Sequence, residues 1–328
     1  MRPTPALLLP ALLLLLPGCR GHRGLGPDWA RSAPAGTTVA FSGEAGWILD
    51  RPDFQEALRR FPMAEQSLDL FLKKAGIAPK QDKGRISLYV MDLKIEAKEA
   101  KPQVQIPRFL IQLAGFQDTE ALQRAVVESF PGEGSLSVGG REWPLHVILD
   151  VNQWHIRALM DGEGRVWLGD LASLAALTGA RRPDPGLVAA SAWVDAQAEL
   201  QGFLRPEAVI QGAQSALPAE AQSMLPRGLD ALVWSVSPGK NPEAPFRFAL
   251  SVTGSREGIQ RAAPWIQRFV ALAGTNQGRT VPSAEMIEEP TRVGFRAQLT
   301  GSQLEATLGR LAAPYFRFGS PQEPDPKP

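Results

Sequence analysis

The sequence predicts an α+β protein of two similar lobes, each an antiparallel sheet with packed helices, the first carrying an extra β-meander. Three observations lead there. Segments of period-2 alternation and segments of helical spacing fall in the same order twice along the chain. The passage from Gly115 through Gln123-Arg124-Ala125 has a counterpart in Gly254 through Gln260-Arg261-Ala262, each at a strand-to-helix transition. Between them Arg181-Arg182-Pro183-Asp184-Pro185 breaks all periodicity. This sets a linker at residues 181–186, between a first lobe of residues 37–180 and a second of residues 187–318.

In the first lobe Thr38 to Phe41 reads as extended, Asp50 and Pro52 open a helical segment, and a helix follows from about Met63 to Ala75. Strands are expected at Ile86 to Val90 and Arg108 to Ala114. Asp118 is placed to cap a helix whose apolar positions are Leu122, Ala125 and Val126. Gly139-Gly140 is the turn between Ser135 to Val138 and Arg141 to Leu149. Asp161-Gly162-Glu163-Gly164 joins Trp154 to Leu159 with Arg165 to Leu168, which completes the meander. Asp170 caps a helix before the boundary.

The second lobe begins with a strand at Leu187 to Val194, helical segments between Glu199 and Leu225, and a strand at Ala231 to Val236. Phe246, Phe248, Leu250 and Val252 then alternate with Arg247, Ala249, Ser251 and Thr253, the mark of a strand with one face buried. Ser255 caps a helix with Ile259, Ala263, Ile266 and Val270 on one face and Pro264 inside it. Ser302 with Glu305 forms a capping box before a closing helix, and residues 319–328 read as a disordered Pro-rich tail.

Composition narrows the function classes. Over 328 residues, 35 Lys and Arg balance 34 Asp and Glu, so no electrostatic footprint for nucleic acid exists. A hydrophobic share of 44% and a charged share of 21% suit a chain that buries a core. One Cys and three His exclude a disulfide scaffold and a thiolate zinc site, and no cofactor is expected.

The N-terminus is the most specific passage. Met1-Arg2-Pro3 is basic, and Ala6 to Leu16 is an apolar run of about eleven residues, too short to span a bilayer as a helix. It ends in Leu16-Pro17-Gly18-Cys19, which holds the sole Cys of the chain. This passage resembles the signal peptide and lipobox of bacterial lipoproteins. The resemblance implies that residues 1–18 are removed and that Cys19 becomes an acylated N-terminus. Several acyl chains, at ~0.8 kcal/mol per buried CH₂, would hold the protein on a membrane without a spanning helix. Arg20 in place of Asp after the Cys implies the outer membrane, facing the periplasm. Residues 19–36 then read as a flexible tether. The body loosely resembles duplicated α+β repeats of uncharacterised secreted bacterial proteins, which lends it no activity.

Candidate sites are few. Pairing strands across Val151-Asn152 puts His146, Asp150 and His155 on one face, the imidazoles diagonal at ~7 Å between Cβ atoms. Two His and a carboxylate are a metal-donor set, yet Arg157 beside them opposes a cation, and a solvated sheet face is the favoured reading. No Gly-x-Ser-x-Gly elbow is present. Glu288 and Glu289, being adjacent on a strand, point to opposite faces. Trp143 with Trp167 is the candidate aromatic platform for a glycan or peptide, against the ordinary fate of Trp in a core. The resulting expectation is a lipid-anchored periplasmic protein with a non-enzymatic binding or scaffolding role. Its partners would be the membrane, through Cys19, and an envelope protein. A carrier or chaperone for an apolar ligand such as lipid is the alternative, and a hydrolase or metal-dependent enzyme comes third.

Overall fold

Period-2 alternation dominates the chain, and the backbone follows it into strands. The computed structural model describes residues 33–34, 36–49, 62–78, 82–92, 94–98, 101–105, 108–138, 140–151, 154–178, 193–195, 198–207, 227–241, 244–274, 284–301 and 303–304. The expected signal peptide, most of the expected tether, the Asp50 and Pro52 segment, the expected linker at 181–186, the Ser302 and Glu305 capping box and residues 305–328 lie outside the described residues.

β1 (Thr37–Glu44) runs into α1 (Ala45–Leu49), followed by α2 (Pro62–Lys74) and β2 (Arg85–Met91). β3 (Lys94–Lys98) and β4 (Lys101–Gln105) form a separate hairpin before β5 (Arg108–Ala114). α3 (Thr119–Ser129) starts where the Asp118 carboxylate accepts the Ala121 N–H at 2.7 Å, and it buries Leu122, Ala125 and Val126. The meander is β6 (Gly132–Val138), β7 (Arg141–Val151), β8 (Trp154–Met160) and β9 (Val166–Gly169). Asp170 then caps α4 (Leu171–Ala175), which continues as a 3₁₀ turn over Ala176–Thr178. β10 (Leu200–Leu204), β11 (Leu229–Asn241) and β12 (Ala244–Gly254) precede α5 (Arg256–Gly274), and β13 (Glu285–Glu289) and β14 (Arg292–Leu299) close the sheet.

The expectation of two lobes is overturned. One antiparallel sheet of 12 strands runs through the molecule in the order β13-β14-β12-β11-β10-β1-β2-β5-β9-β8-β7-β6. The two halves meet at β1, which pairs with β2 on one side and with β10 on the other. Across the second ladder Val39 faces Leu204, Ala40 faces Phe203, Phe41 faces Gly202 and Ser42 faces Gln201. The sequence concealed this because main-chain hydrogen bonds make no demand on side-chain type, so a strand's alternation does not name its neighbour. Two elements also differ from expectation. Leu200–Leu204 is a strand rather than the start of a helix, and Trp193 to Asp195 forms a turn rather than a strand end.

Each face of the sheet has its own cover. On the helix face Ile259, Ala262 and Ile266 of α5 pack with Phe248, Leu250, Val293 and Phe295. The Ser255 hydroxyl starts this helix by accepting the Gly258 N–H at 3.1 Å. Over the first half α1, α2 and α3 cover Ile86, Leu113, Ala158 and Val166. On the other face α4, the 3₁₀ turn and Val194 lie over Tyr89, Leu110, Trp167, Phe203 and Val233. Between β9 and β10 the chain passes three strands, a displacement of roughly 19 Å at the usual strand spacing. Of this connection the described α4, 3₁₀ turn and Val194 belong to the core on one side of the sheet. Among the described residues no helix is long and apolar enough to cross a membrane.

On the helix face the seam depends on a missing Cβ. The Trp234 indole of β11 lies over Gly202 of β10 and reaches Phe41 of β1, with ring centroids 5.9 Å apart. A Cβ on Gly202 would sit 2.4 Å from that indole. Gly202→Ala is expected to cost about 1–3 kcal/mol of stability, read as a lower urea midpoint, because the ring must leave Phe41 to make room. Residues 37–180 and 186–318 are expected to be insoluble when expressed apart and to form a soluble complex when co-expressed, since each alone exposes a central strand as an edge. Two soluble halves that each unfold cooperatively would contradict the continuous sheet.

Candidate functional site

The seam has a second side. The residues of β1, β2, β10 and β11 that alternate with the apolar ones are Ser42, Glu44, Arg85, Ser87, Gln201, Ser235 and Ser237, and all are buried. Glu199, just before β10, is buried with them. Buried polar groups need partners, and most of these have them. The Arg85 guanidinium donates from Nε to Ser42 Oγ, from Nη2 to Ser42 O and from Nη1 to Ala198 O, each at 3.0 Å. Ser87 Oγ donates to the same Ser42 hydroxyl at 2.8 Å. One arginine thus ties β2 and β1 to the segment that enters β10. Beside it Gln201 Nε2 donates to Asp195 O at 2.7 Å, and the Asp195 carboxylate accepts from Ser237 Oγ and Arg247 Nη2, both at 2.7 Å.

At the end of this row two carboxyl groups meet. Glu44 donates its backbone N–H to Glu199 O at 2.9 Å, one step beyond the last paired residues of the β1–β10 ladder, and Arg85 stands opposite Glu44 on β2. Glu44 is 7% exposed and Glu199 2%. Burial, and next the Glu199 charge, push the Glu44 carboxyl up to about 7, against the pull of Arg85 and Lys83. Burial lowers Arg85 to about 10, with Glu44 opposing, so the guanidinium stays charged at neutrality. Glu44 Oε1 has no hydrogen-bond partner. The row Glu199, Glu44 and Arg85 is therefore a buried group that takes up or releases a proton near neutral pH, the property that marks a candidate site. No spacing in the sequence joins these residues. Only the β1–β10 register brings them together.

The structure separates the histidines. Asp150 pairs with His155 and Leu149 with Ile156, but a β-bulge between Val147 and Leu149 shifts the register, so Val147 faces Arg157 and His146 faces Ala158. An inserted residue reverses the faces on one side of a bulge. His146 accordingly turns to the helix face, where it is buried and its Nδ1 donates to Phe130 O at 3.1 Å. His155 stays exposed, its Nδ1 2.5 Å from Asp150 Oδ1. That hydrogen bond holds the Asp150 carboxyl below its ordinary range. Arg157 joins Asp150 and Glu133 on the same face and occupies the position a cation would need. His146, Asp150 and His155 do not converge, and among the described residues no group of three His, Cys, Asp or Glu is placed to hold a metal ion.

The aromatic platform is corrected too. Trp167 is 1% exposed, stacks with Tyr89 at 5.9 Å and donates its Nε1–H to Asp161 Oδ2 at 3.0 Å. Trp143 is half-buried against the same cluster. Trp167 is a core residue and Trp143 packs against that core from its margin, as large rings on a covered face do. Compared with known proteins, the chain matches no family model, no curated protein and no solved structure at a significant level.

Glu44 binds its proton more tightly in the folded state, about 7 against 4.5, so the protein should lose stability as pH rises between those values and stay level above them. Glu44→Gln, which copies the neutral acid, should flatten this slope and exceed the parent on the alkaline side by ~2 kcal/mol. Urea unfolding across a pH series measures both. A slope that survives the substitution would assign the titration to another group.

Proposed function

We propose that this chain is a lipid-anchored protein of the bacterial cell envelope, with a non-enzymatic binding or scaffolding role performed by its sheet. The observation that carries the reading is the run from Ala6 to Leu16 ending in Leu16-Pro17-Gly18-Cys19, with the only Cys of the chain at the cleavage point. Acylation of Cys19 would place the first strand, at Thr37, within ~60 Å of the membrane, the span of an extended chain of that length. A neutral body gains nothing from anionic lipid, so the acyl chains would supply the attachment. The outer membrane, periplasmic face, is the location that Arg20 favours.

The two ends of the sheet support a binding role. β13 carries exposed Glu285, Glu288 and Glu289, charges that discourage another strand from pairing there. β6 ends the opposite side with the uncharged run Gly134 to Val138. An extended segment of an envelope partner could add to that edge through main-chain hydrogen bonds. Cys19→Ser is expected to move the protein from the membrane fraction to the soluble fraction and to abolish incorporation of labelled palmitate. A parent protein that takes up no fatty acid, and fractionates as the variant does, would end this reading.

A further inference from the structure

The turn before β10 carries a second polar cluster, independent of Glu44. Trp193 lies on the polar face of β12 and β14, directly over Gly294. A Cβ on Gly294 would be 3.2 Å from Trp193 Nε1 and 3.2 Å from the Cα of Ser251, its cross-strand partner. Arg292 and Arg296 flank Gly294 on the same face of β14. Their guanidinium carbons lie 5.7 Å and 3.5 Å from the Trp193 ring centroid. Trp193 Nε1, Ser251 Oγ and Arg292 Nε are all buried, and none has a hydrogen-bond partner.

We propose that Trp193, Ser251 and Arg292 form the floor of a binding site for an oxyanion, the carboxylate or phosphate group of a small ligand. The donor chemistry selects this class. An indole N–H and a guanidinium Nε–H only donate, so they cannot satisfy each other, and neither is hydrogen-bonded to the Ser251 hydroxyl, whose oxygen also has no partner. An anionic oxygen accepts several such bonds, and charge-assisted bonds are the strong ones. The surrounding groups are otherwise engaged. Arg292 Nη2 donates to Glu289 at 2.6 Å, Arg296 Nη2 to Trp193 O at 2.7 Å, Arg296 Nη1 is 4.0 Å from Glu285, and Arg247 binds Asp195. These bonds hold the rim in place and leave the floor donors uncommitted. The side chains of Arg292 and Arg296 are 21% and 40% exposed, so the floor lies behind guanidinium groups that solvent reaches. Gly294 lets the indole lie close against β14, because a Cβ there would be 2.5 Å from Leu250 O and 3.2 Å from Trp193 Nε1.

The test uses the full mature chain with Cys19→Ser to keep it in solution. Sodium phosphate and sodium acetate are titrated separately against sodium chloride at matched ionic strength. The readouts are the melting midpoint and the indole ¹⁵N–H resonance of Trp193, assigned by its loss in Trp193→Phe. Binding should raise the midpoint and move that resonance, and the anion that does so identifies the class of ligand. Ser251→Ala and Trp193→Phe should each weaken the response by about tenfold or more, the worth of one charge-assisted hydrogen bond. Their midpoints in chloride should hold or rise, because each removes a buried donor that lacked a partner. No response beyond that of chloride, or one that both variants retain, would overturn the site and leave the floor donors to water alone.

Discussion

The ladder between β1 and β10 is the constraint on which the rest of the structure depends. It turns two potential sheet edges into the centre of one sheet, and its register decides what faces what on both sides. On the helix face it sets Gly202 between Phe41 and Trp234, where the absence of a Cβ lets an indole bridge three strands. On the polar face the same register brings Glu44 beside Glu199 and lets Arg85 reach the Ala198 carbonyl. A one-residue slip would exchange the two faces and put the carboxyl groups into the apolar core.

The polar face differs from a solvated sheet face in being covered. Once α4 and the turn at Trp193 lie over it, each serine, glutamine and arginine must find a partner within the protein or bear the cost of losing water. Short side chains manage this through neighbours on adjacent strands, as the Arg85, Ser42 and Ser87 network shows. Glu44 responds differently, by keeping its proton to a higher pH than an exposed glutamate would. Trp193, Ser251 and Arg292 have no such recourse, since they offer mostly donors. The same requirement for partners therefore produces a proton-holding group at one place and an acceptor-seeking group at another.

Local signals in the sequence hold in the structure where the physics is local. Asp118, Asp170 and Ser255 cap helices as their positions imply, because a cap concerns only the next three residues. The alternation in Phe246 to Thr253 marks a strand with its aromatic and aliphatic side on the core, because side chains on a strand alternate whatever lies beside it. The hairpin at Asp161 forms because its carboxylate collects the N–H groups of Glu163 and Arg165. His146 shows the limit: a single inserted residue at the bulge sends it to the opposite face, and no residue type there announces the insertion.

The sequence by itself determined the strands at Thr38 to Phe41, Ile86 to Val90, Arg108 to Ala114, Ala231 to Val236 and Phe246 to Thr253, the helix starts at Asp118, Asp170 and Ser255, the meander and the resemblance of the first twenty residues to a lipoprotein leader, all of which depend on residues near one another in the chain. Only the tertiary structure decided that the halves share one sheet, that the row of serines and charges is buried, and that Glu44 meets Glu199 while Trp193 lies over Gly294 beside Arg292 and Arg296. These pairings join segments far apart in sequence through main-chain hydrogen bonds, which every residue but proline can make. Their choice is governed by how two covered faces pack at once, a property no single segment carries.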